Sequence, residues 1–245
     1  MHPLVSIIIP TFNSDAFLNN TLSSVVDQSH SSWECLIIDD GSTDNTAKII
    51  SEYVNSDERF AFHQRPADRL KGANACRNIG LEHCNGEYLM FLDADDVLTK
   101  TCLEGRLSIF DSTPNVDIVV ADTAPLVDGE FKNKSINKDP DEASSENYLK
   151  MFLGYTIPWT IMSGLWKTEW LKTKRFDESL NRFQDIDFHI SCLKDPLSIK
   201  RFNRIDNYYR LESDKLKNKA HVRSVLTNFK LFYDKQMNFV QQDQS

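Results

Sequence analysis

The 245-residue chain has no two cysteines at CxxC spacing; its five stand scattered at 35, 76, 84, 102 and 192. A zinc knuckle and a thioredoxin-type redox site are thereby excluded. Buried free thiols in a reducing compartment are the plain reading, and Cys35 sits before an apolar Leu36-Ile37-Ile38 run. No stretch approaches the roughly 20 apolar residues of a membrane span, and the apolar part of "MHPLVSIIIP" is too short for a signal peptide. The expectation is a cytoplasmic protein that meets a membrane only through a partner or its tail. Positive charge is scarce as well: 28 Lys and Arg against 36 Asp and Glu, net −8. Phosphate neutralisation needs clustered basic residues, so general nucleic-acid binding is excluded. The first apolar run is not followed by GxGxxG, which removes a dinucleotide oxidoreductase. It leads instead into "PTFNSD", without the basic Gly-rich loop that a sugar nucleotidyltransferase needs.

What is present is an alternation of strand and helix patterns over the first 120 residues. "LVSIIIP", "WECLIID", "EYLMFLD" and "VDIVVAD" are continuous apolar runs, as expected of strands covered on both faces. "RFAFHQ" alternates like a strand nearer an edge. "NSDAFLNNTLSSVVDQ" reads as a helix capped by Ser14 or Asp15, and "GANACRNIGLEHC" as a helix closed by Asn85-Gly86. Strands alternating with helices predict an α/β fold with a mostly parallel central sheet flanked by helices. Residues 127–147 are polar and read as a loop or an exposed hairpin. The Trp-rich run "MFLGYTIPWTIMSGLWKTEWL" reads as packed but irregular, a lid or substrate wall. "RFDESLNRFQDIDFHISCL" ends in a helix and "SIKRFNRIDNYYRL" suits a strand. From Asp214 to Val240 an apolar helical stripe carries six Lys or Arg against two Asp. It is expected to pack on the domain, with a membrane or partner surface as the other option.

In open parallel sheets, ligands bind outside the carboxyl ends of the strands. Three runs end in Pro10-Thr11-Phe12-Asn13, Asp39-Asp40 and Asp93-Ala94-Asp95-Asp96. Any one of these is as readily a turn as a site. Together they bring an aromatic, a carboxylate pair and a carboxylate triplet to one rim. Carboxylates this close repel unless water or a counter-ion intervenes. Mn²⁺ or Mg²⁺ prefers such oxygens and bridges them to phosphates, which gives an acidic protein a seat for a diphosphate. Asp93 and Asp95, two apart, face the same way if the chain stays extended. Phe12 offers a face for a base and Asp40 an acceptor for a base N–H.

These residues resemble glycosyltransferases of family 2, of the GT-A fold. "VSIIIPTFNS" is similar to the family's opening strand and nucleotide loop, and "IIDDGSTDNT" to its second strand and turn. "GANACRNIGL" is similar to the segment before the metal strand, and "GEYLMFLDADD" to the Asp-x-Asp strand. Together they cover about half the chain. The resemblance implies one GT-A domain over 1–212, with a nucleotide-sugar half at 1–122 and an acceptor half at 123–212, then a helical tail at 213–245. It implies transfer of a sugar from a nucleotide-diphosphate donor, most often a UDP-sugar, to an acceptor hydroxyl with inversion. Pro10, Thr11, Phe12, Asn13 and Asp40 would surround the base. Asp93 and Ala94 would meet the ribose or sugar, and Asp95 the metal. Arg77 and Asn78 would line the donor site, although Arg77 can equally cap a helix or pair with a carboxylate. The acceptor would be a saccharide or a lipid-linked saccharide.

Inversion needs a base on the acceptor side. In "RFQDIDFHI", Asp185 stands where the family has its base, with Gln184 in place of the acid before it; Asp187 is the second choice, and Asp185 as a mere helix cap the alternative. Trp159 and Trp166 can stack on sugars but in an apolar run read first as core. The chain departs from the family at His189, where relatives carry an Arg later in that helix. Where relatives carry a His after this strand, Tyr208-Tyr209-Arg210 is followed by Leu211-Glu212, with His221 well beyond, which leaves Arg210 as a phosphate partner. A non-catalytic nucleotide-sugar-binding protein of the same fold, or a sugar nucleotidyltransferase despite its missing basic loop, is the competing reading.

Overall fold

In the computed structural model, residues 2–211, 229, 230 and 232–237 are described. The apolar runs fold as expected: β1 (Val5–Thr11) is buried along its whole length. The helix α1 (Leu18–Val26) follows, then β2 (Trp33–Asp39), α2 (Thr46–Ser56), β3 (Phe60–Gln64), α3 (Ala73–His83) and β4 (Tyr88–Phe91). The chain continues through β5 (Val97–Leu98), α4 (Cys102–Ser112), β6 (Ile118–Val127), β7 (Glu130–Phe131), α5 (Ser145–Leu153), β8 (Gly164–Lys167), α6 (Thr168–Leu171), α7 (Gln184–Leu193) and β9 (Ile199–Leu211). The strand order is β3-β2-β1-β4-β8-β6-β9-β5, with β7 paired to β6. Strands β3, β2, β1 and β4 run parallel, as do β6 and β9. The α/β class and the mostly parallel sheet expected from the sequence are those found.

Alternation along β1 divides the core. Val5, Ile7 and Ile9 pack with Leu18, Leu22 and Val25 of α1, Ile50 of α2 and Leu103 and Phe110 of α4. Ile8 faces the other way, toward α3, α5 and α7 with Ile79, Phe152 and Phe188. Each fully buried side chain of this size stabilises by about 1.5–3 kcal/mol. On the second face α3 lies directly against β1: a Cβ on Gly80 would collide with the Ile8 side chain. Gly80→Ala is therefore expected to destabilise by roughly 1–3 kcal/mol through overpacking, against the small gain in helix propensity. A thermal melt of the variant that matches the parent would refute this close packing.

Three details differ from the sequence reading, while the polar segment after 127 takes one of its two expected forms. Helix α1 starts at Leu18 with no side-chain cap, because the Ser14 carbonyl accepts from Phe17 and Leu18 while the Asp15 carboxylate is drawn to Asn45. The Trp-rich run holds a true strand, β8, which joins β4 and β6 by antiparallel pairing. The polar segment after 127 is a hairpin whose turn needs positive φ at Asp128 (50°) and Gly129 (85°). The strand before the acidic triplet ends at Phe91, and Asp93–Asp96 is a turn closed by Asp96 N–H to Asp93 O at 3.1 Å. The period-two argument for Asp93 and Asp95 therefore does not apply, since neither is in extended strand.

Trp159 and Trp166 are buried. All five cysteines are unpaired, four of them buried. Among the described residues no helix is long and apolar enough to cross a membrane. Most of the 213–245 tail lies outside the described residues. In its described part, Phe232 is buried against Phe183, and Lys235 and Gln236 bond Asp187 at 2.8 Å each.

Candidate active site

The ends of β1, β2 and β4 form one rim, as parallel pairing requires. Thr11 is buried and its hydroxyl reaches Ile38 O and the Asp39 carboxylate. Asn13 sits in the left-handed region (φ 48°), a conformation Asn tolerates because its side chain bonds locally. Its Oδ1 accepts from Thr43 N–H at 2.8 Å, which ties the first loop to the Asp39-Asp40-Gly41-Ser42 turn. Phe12, 44% exposed, is left standing on the rim, and the Lys71 ammonium lies 3.8 Å above its ring. Asp39 accepts from the N–H groups of Gly41 and Ser42 and so shapes the turn. Asp40 is buried and pairs with Arg65. Lys71 and Arg65 are absent from the sequence reading: the loop that carries them has no periodicity, and only the fold brings it over the rim.

The acidic turn is layered. Asp96 is buried, accepts from Arg210 N–H at 2.8 Å, and leaves Oδ2 with no partner among the described residues. Burial holds its carboxyl well above the usual range, with Asp93 and Asp95 adding to the effect. Asp95 is half-buried above it, its carbonyl held by Arg210 Nε at 2.7 Å, and the Arg210 guanidinium lies over Phe17. Among the described residues no three His, Cys, Asp or Glu are clustered to hold a metal ion. The donor set suits a hard cation that takes oxygen ligands and draws the rest of its shell from a diphosphate. The unpartnered, buried Asp96 Oδ2 is the kind of atom such a charge would satisfy.

Arg77 connects this rim to the rest of the molecule. It is buried on α3, donates through Nη2 to Asp93 at 2.6 Å, and meets Asp185 through Nη1 at 3.3 Å. Burial opposes its charge, but Asp93 and Asp185 hold the guanidinium protonated. Of the two options the sequence left for Arg77 beside donor lining, the structure realises the carboxylate pair. Asn78, one residue on, is engaged elsewhere: its amide donates to Phe176 O and the Glu178 carboxylate and accepts from Phe176 N–H. It fastens the 176–178 segment beneath the site.

Asp185 is the second residue of α7, which starts with no side-chain cap after Phe183 in the left-handed region (φ 62°). It lines a cavity of about 880 Å³ together with Asp93, Tyr155, Trp159, Phe183, His189 and Tyr209. Burial pushes the Asp185 carboxyl up, Arg77 pulls it down and Asp93 raises it again, for a value of about 6. Its side chain nevertheless remains 38% accessible, so a ligand in the cavity reaches it. Asp187 points elsewhere, buried and bonded to Lys235 and Gln236. Tyr209, also missed from the sequence, is pushed to about 12 by burial and the acidic group around it. Its position became visible only once β9 was paired beside β6.

Residues 6–192 match the family Glycosyl transferase family 2. An uncharacterized glycosyltransferase of Haemophilus influenzae is 32% identical over 196 residues, covering 79% of this chain and 73% of its own. UDP-Glc:alpha-D-GlcNAc-diphosphoundecaprenol beta-1,3-glucosyltransferase WfgD of Escherichia coli is 37% identical over 106 residues, 43% of this chain and 40% of that protein. Among solved structures, S. aureus TarS 1-349 in complex with UDP superposes with a TM-score of 0.70 at 23% identity, over 84% of this chain and 60% of that one. The mannosyltransferase PcManGT from Pyrobaculum calidifontis, in complex with GDP-Man and Mn2+, gives 0.67 at 14% identity, over 97% and 65%. The chain thus spans less than two thirds of WfgD and of both structures, which speak for the fold alone. A sheet whose parallel strand ends carry the acidic rim, and a family match that runs from β1 through α7, agree: the chain belongs to glycosyl transferase family 2.

Proposed function

We propose that the protein transfers a sugar from a UDP-sugar to an acceptor hydroxyl with inversion, in polysaccharide or glycoconjugate synthesis. The observation that carries this reading is the Asp93–Arg77–Asp185 bridge. One buried guanidinium joins the rim where a donor would lie to a carboxylate inside the neighbouring cavity. Pro10, Thr11, Phe12, Asn13 and Asp40 form the base end of the donor seat, with Asp93 and Ala94 toward the sugar. Asp185 takes the proton of the acceptor hydroxyl as that oxygen attacks the anomeric carbon opposite the leaving diphosphate. Asp95, with Asp96 beneath it, would hold Mn²⁺ or Mg²⁺. When bound, the ion offsets the charge of the diphosphate against a rim that is otherwise acidic. Residues 1–122 serve as the donor half and 123–212 as the acceptor half of one domain. The acceptor class we propose is a lipid-linked saccharide, the kind named for the E. coli relative.

Calorimetry of UDP, with GDP for comparison, in Mn²⁺ and in EDTA tests the donor seat. UDP is expected to bind only with the metal, and Asp95→Ala to weaken it at least about tenfold, the lower end for loss of a metal-site group. Equal binding in EDTA would sink the metal assignment. Absence of transfer in any acceptor screen, with UDP binding intact, would favour the non-catalytic binding protein. Peripheral membrane contact is also proposed: Phe229, Tyr233 and Met237 stand exposed four residues apart along one helical face. Vesicles of anionic lipid should co-sediment the full chain, and Tyr233→Asp should release it; no co-sedimentation of the parent would reject that contact.

A further inference from the structure

The floor of the cavity carries polar groups that the proposed chemistry does not use. His189 is fully buried; its ring meets the Asp185 carbonyl one helical turn back, and neither ring nitrogen has any other hydrogen-bond partner among the described residues. Trp159, 2% exposed, likewise leaves its indole N–H unpartnered. Both line the same cavity as Asp185. Their rings are packed edge to face with centroids 5.7 Å apart, and Phe152 stacks on the imidazole at 4.9 Å. The apolar packing fixes these groups in place without satisfying them. Buried polar groups are hydrogen-bonded in nearly all proteins, and leaving one bare costs about 1–3 kcal/mol. Of the surroundings of these two side chains, the cavity is the part that can admit a partner.

The chemistry of the missing partner is constrained. Burial depresses the imidazole to about 3, so it is neutral; with its N–H turned to the Asp185 carbonyl, the other ring nitrogen is left as an acceptor. The indole offers one donor. A group that both gives and accepts hydrogen bonds fits this pair, whereas a phosphate or carboxylate would meet no charge on either ring. The spacing narrows it further. His189 lies four residues after Asp185 on α7, so the two share a helix face about 6 Å apart along the axis. That is the span from one hydroxyl to another across a single pyranose ring.

We infer that His189 and Trp159 form a hydroxyl subsite that holds the acceptor's terminal sugar while another hydroxyl of the same ring faces Asp185. This rests on the proposed role of Asp185 as base. His189 is thus a specificity-determining residue: it selects an acceptor whose reacting ring carries a second hydroxyl at the right distance, and it rejects the deoxy analogue, whose binding would leave the pair bare.

The test follows the side chains directly in the full chain labelled with ¹⁵N-His and ¹⁵N-Trp. Methyl β-D-glucopyranoside and methyl N-acetyl-β-D-glucosaminide are the probes, and methoxycyclohexane is the ring-sized control without a hydroxyl. At least one glycoside should shift the His189 ring nitrogens and the Trp159 indole N–H along one saturating curve, while the control leaves them in place. In His189→Phe, which keeps an aromatic ring for Phe152, the Trp159 response should weaken about tenfold, as expected for a lost buried hydrogen bond. No glycoside response in the parent, an equal response to methoxycyclohexane, or an unchanged Trp159 response in His189→Phe would each overturn the subsite. Repeating the titration in Asp185→Asn separates the two readings. Normal sugar transfer by that variant defeats the base assignment alone, whereas a silent His189 and Trp159 defeat the subsite alone.

Discussion

Asp185→Asn is expected to abolish sugar transfer and to leave metal-dependent UDP binding intact. The amide is nearly isosteric and still accepts from Arg77, so the cleft should keep its shape, but it cannot take a proton. Loss of a general base costs roughly 10²–10⁴ in rate. The same carboxyl sets a pH limb. With its value near 6, Asp185 is ionised at neutral pH and protonated in acid. The active form is the ionised one, so kcat/KM should rise with pH up to about 6 and level off above it. Below that point it should fall about tenfold per unit, by simple protonation of an essential base. The measurement is a transfer assay across pH 4.5–8 on parent and variant, beside calorimetry of UDP. Normal turnover by Asp185→Asn would return the residue to a structural partner of Arg77. The alternative base, Asp187, does not inherit the role easily, because Lys235 and Gln236 already occupy its carboxylate.

Arg106→Met should be among the most destabilising single changes in the chain. Arg106 and Asp206 are both buried to within 1% and joined by two hydrogen bonds of 2.9 and 2.7 Å, and a third Arg106 N–H reaches Met162 O at 2.9 Å. Truncating the arginine leaves a carboxylate in the core with the Asn207 amide and the Cys102 thiol beside it and no counter-charge. Breaking such a pair costs about 3–5 kcal/mol, whereas replacing both members by apolar residues is often close to neutral. For a chain of this size that is a fall in Tm of roughly 6–20 °C. The double variant Arg106→Met/Asp206→Leu should recover most of the loss. A double variant as unstable as the single one would mean that the arginine matters for packing and not for charge. The pair fastens α4 to β9, and Met162, whose carbonyl it holds, is one of the residues that line the cavity.

The sequence by itself determined the N-terminal parallel strands and the rim they share. Runs such as Val5–Thr11 and Trp33–Asp39 are apolar along their whole length, and only strands covered on both faces make sense of that. Once those strands are parallel, their carboxyl ends must share a rim, so Phe12, Asp40 and Asp93 were legible together before any contact was known. The helix that opens at Asp185 was legible for the same reason, from local pattern. Tertiary structure alone decided what those groups touch. Arg77 and Asp185 are over a hundred residues apart, and no periodicity reports that one guanidinium spans both carboxylates. Strand β8 was hidden because four residues inside an aromatic run carry too little pattern to separate strand from packed loop. The cavity, and the buried ring nitrogens of His189 and Trp159 in its floor, depend on how α5 and α7 meet across the second core. That meeting is set by long-range packing of Phe152, Phe176 and Phe188, which local sequence does not encode.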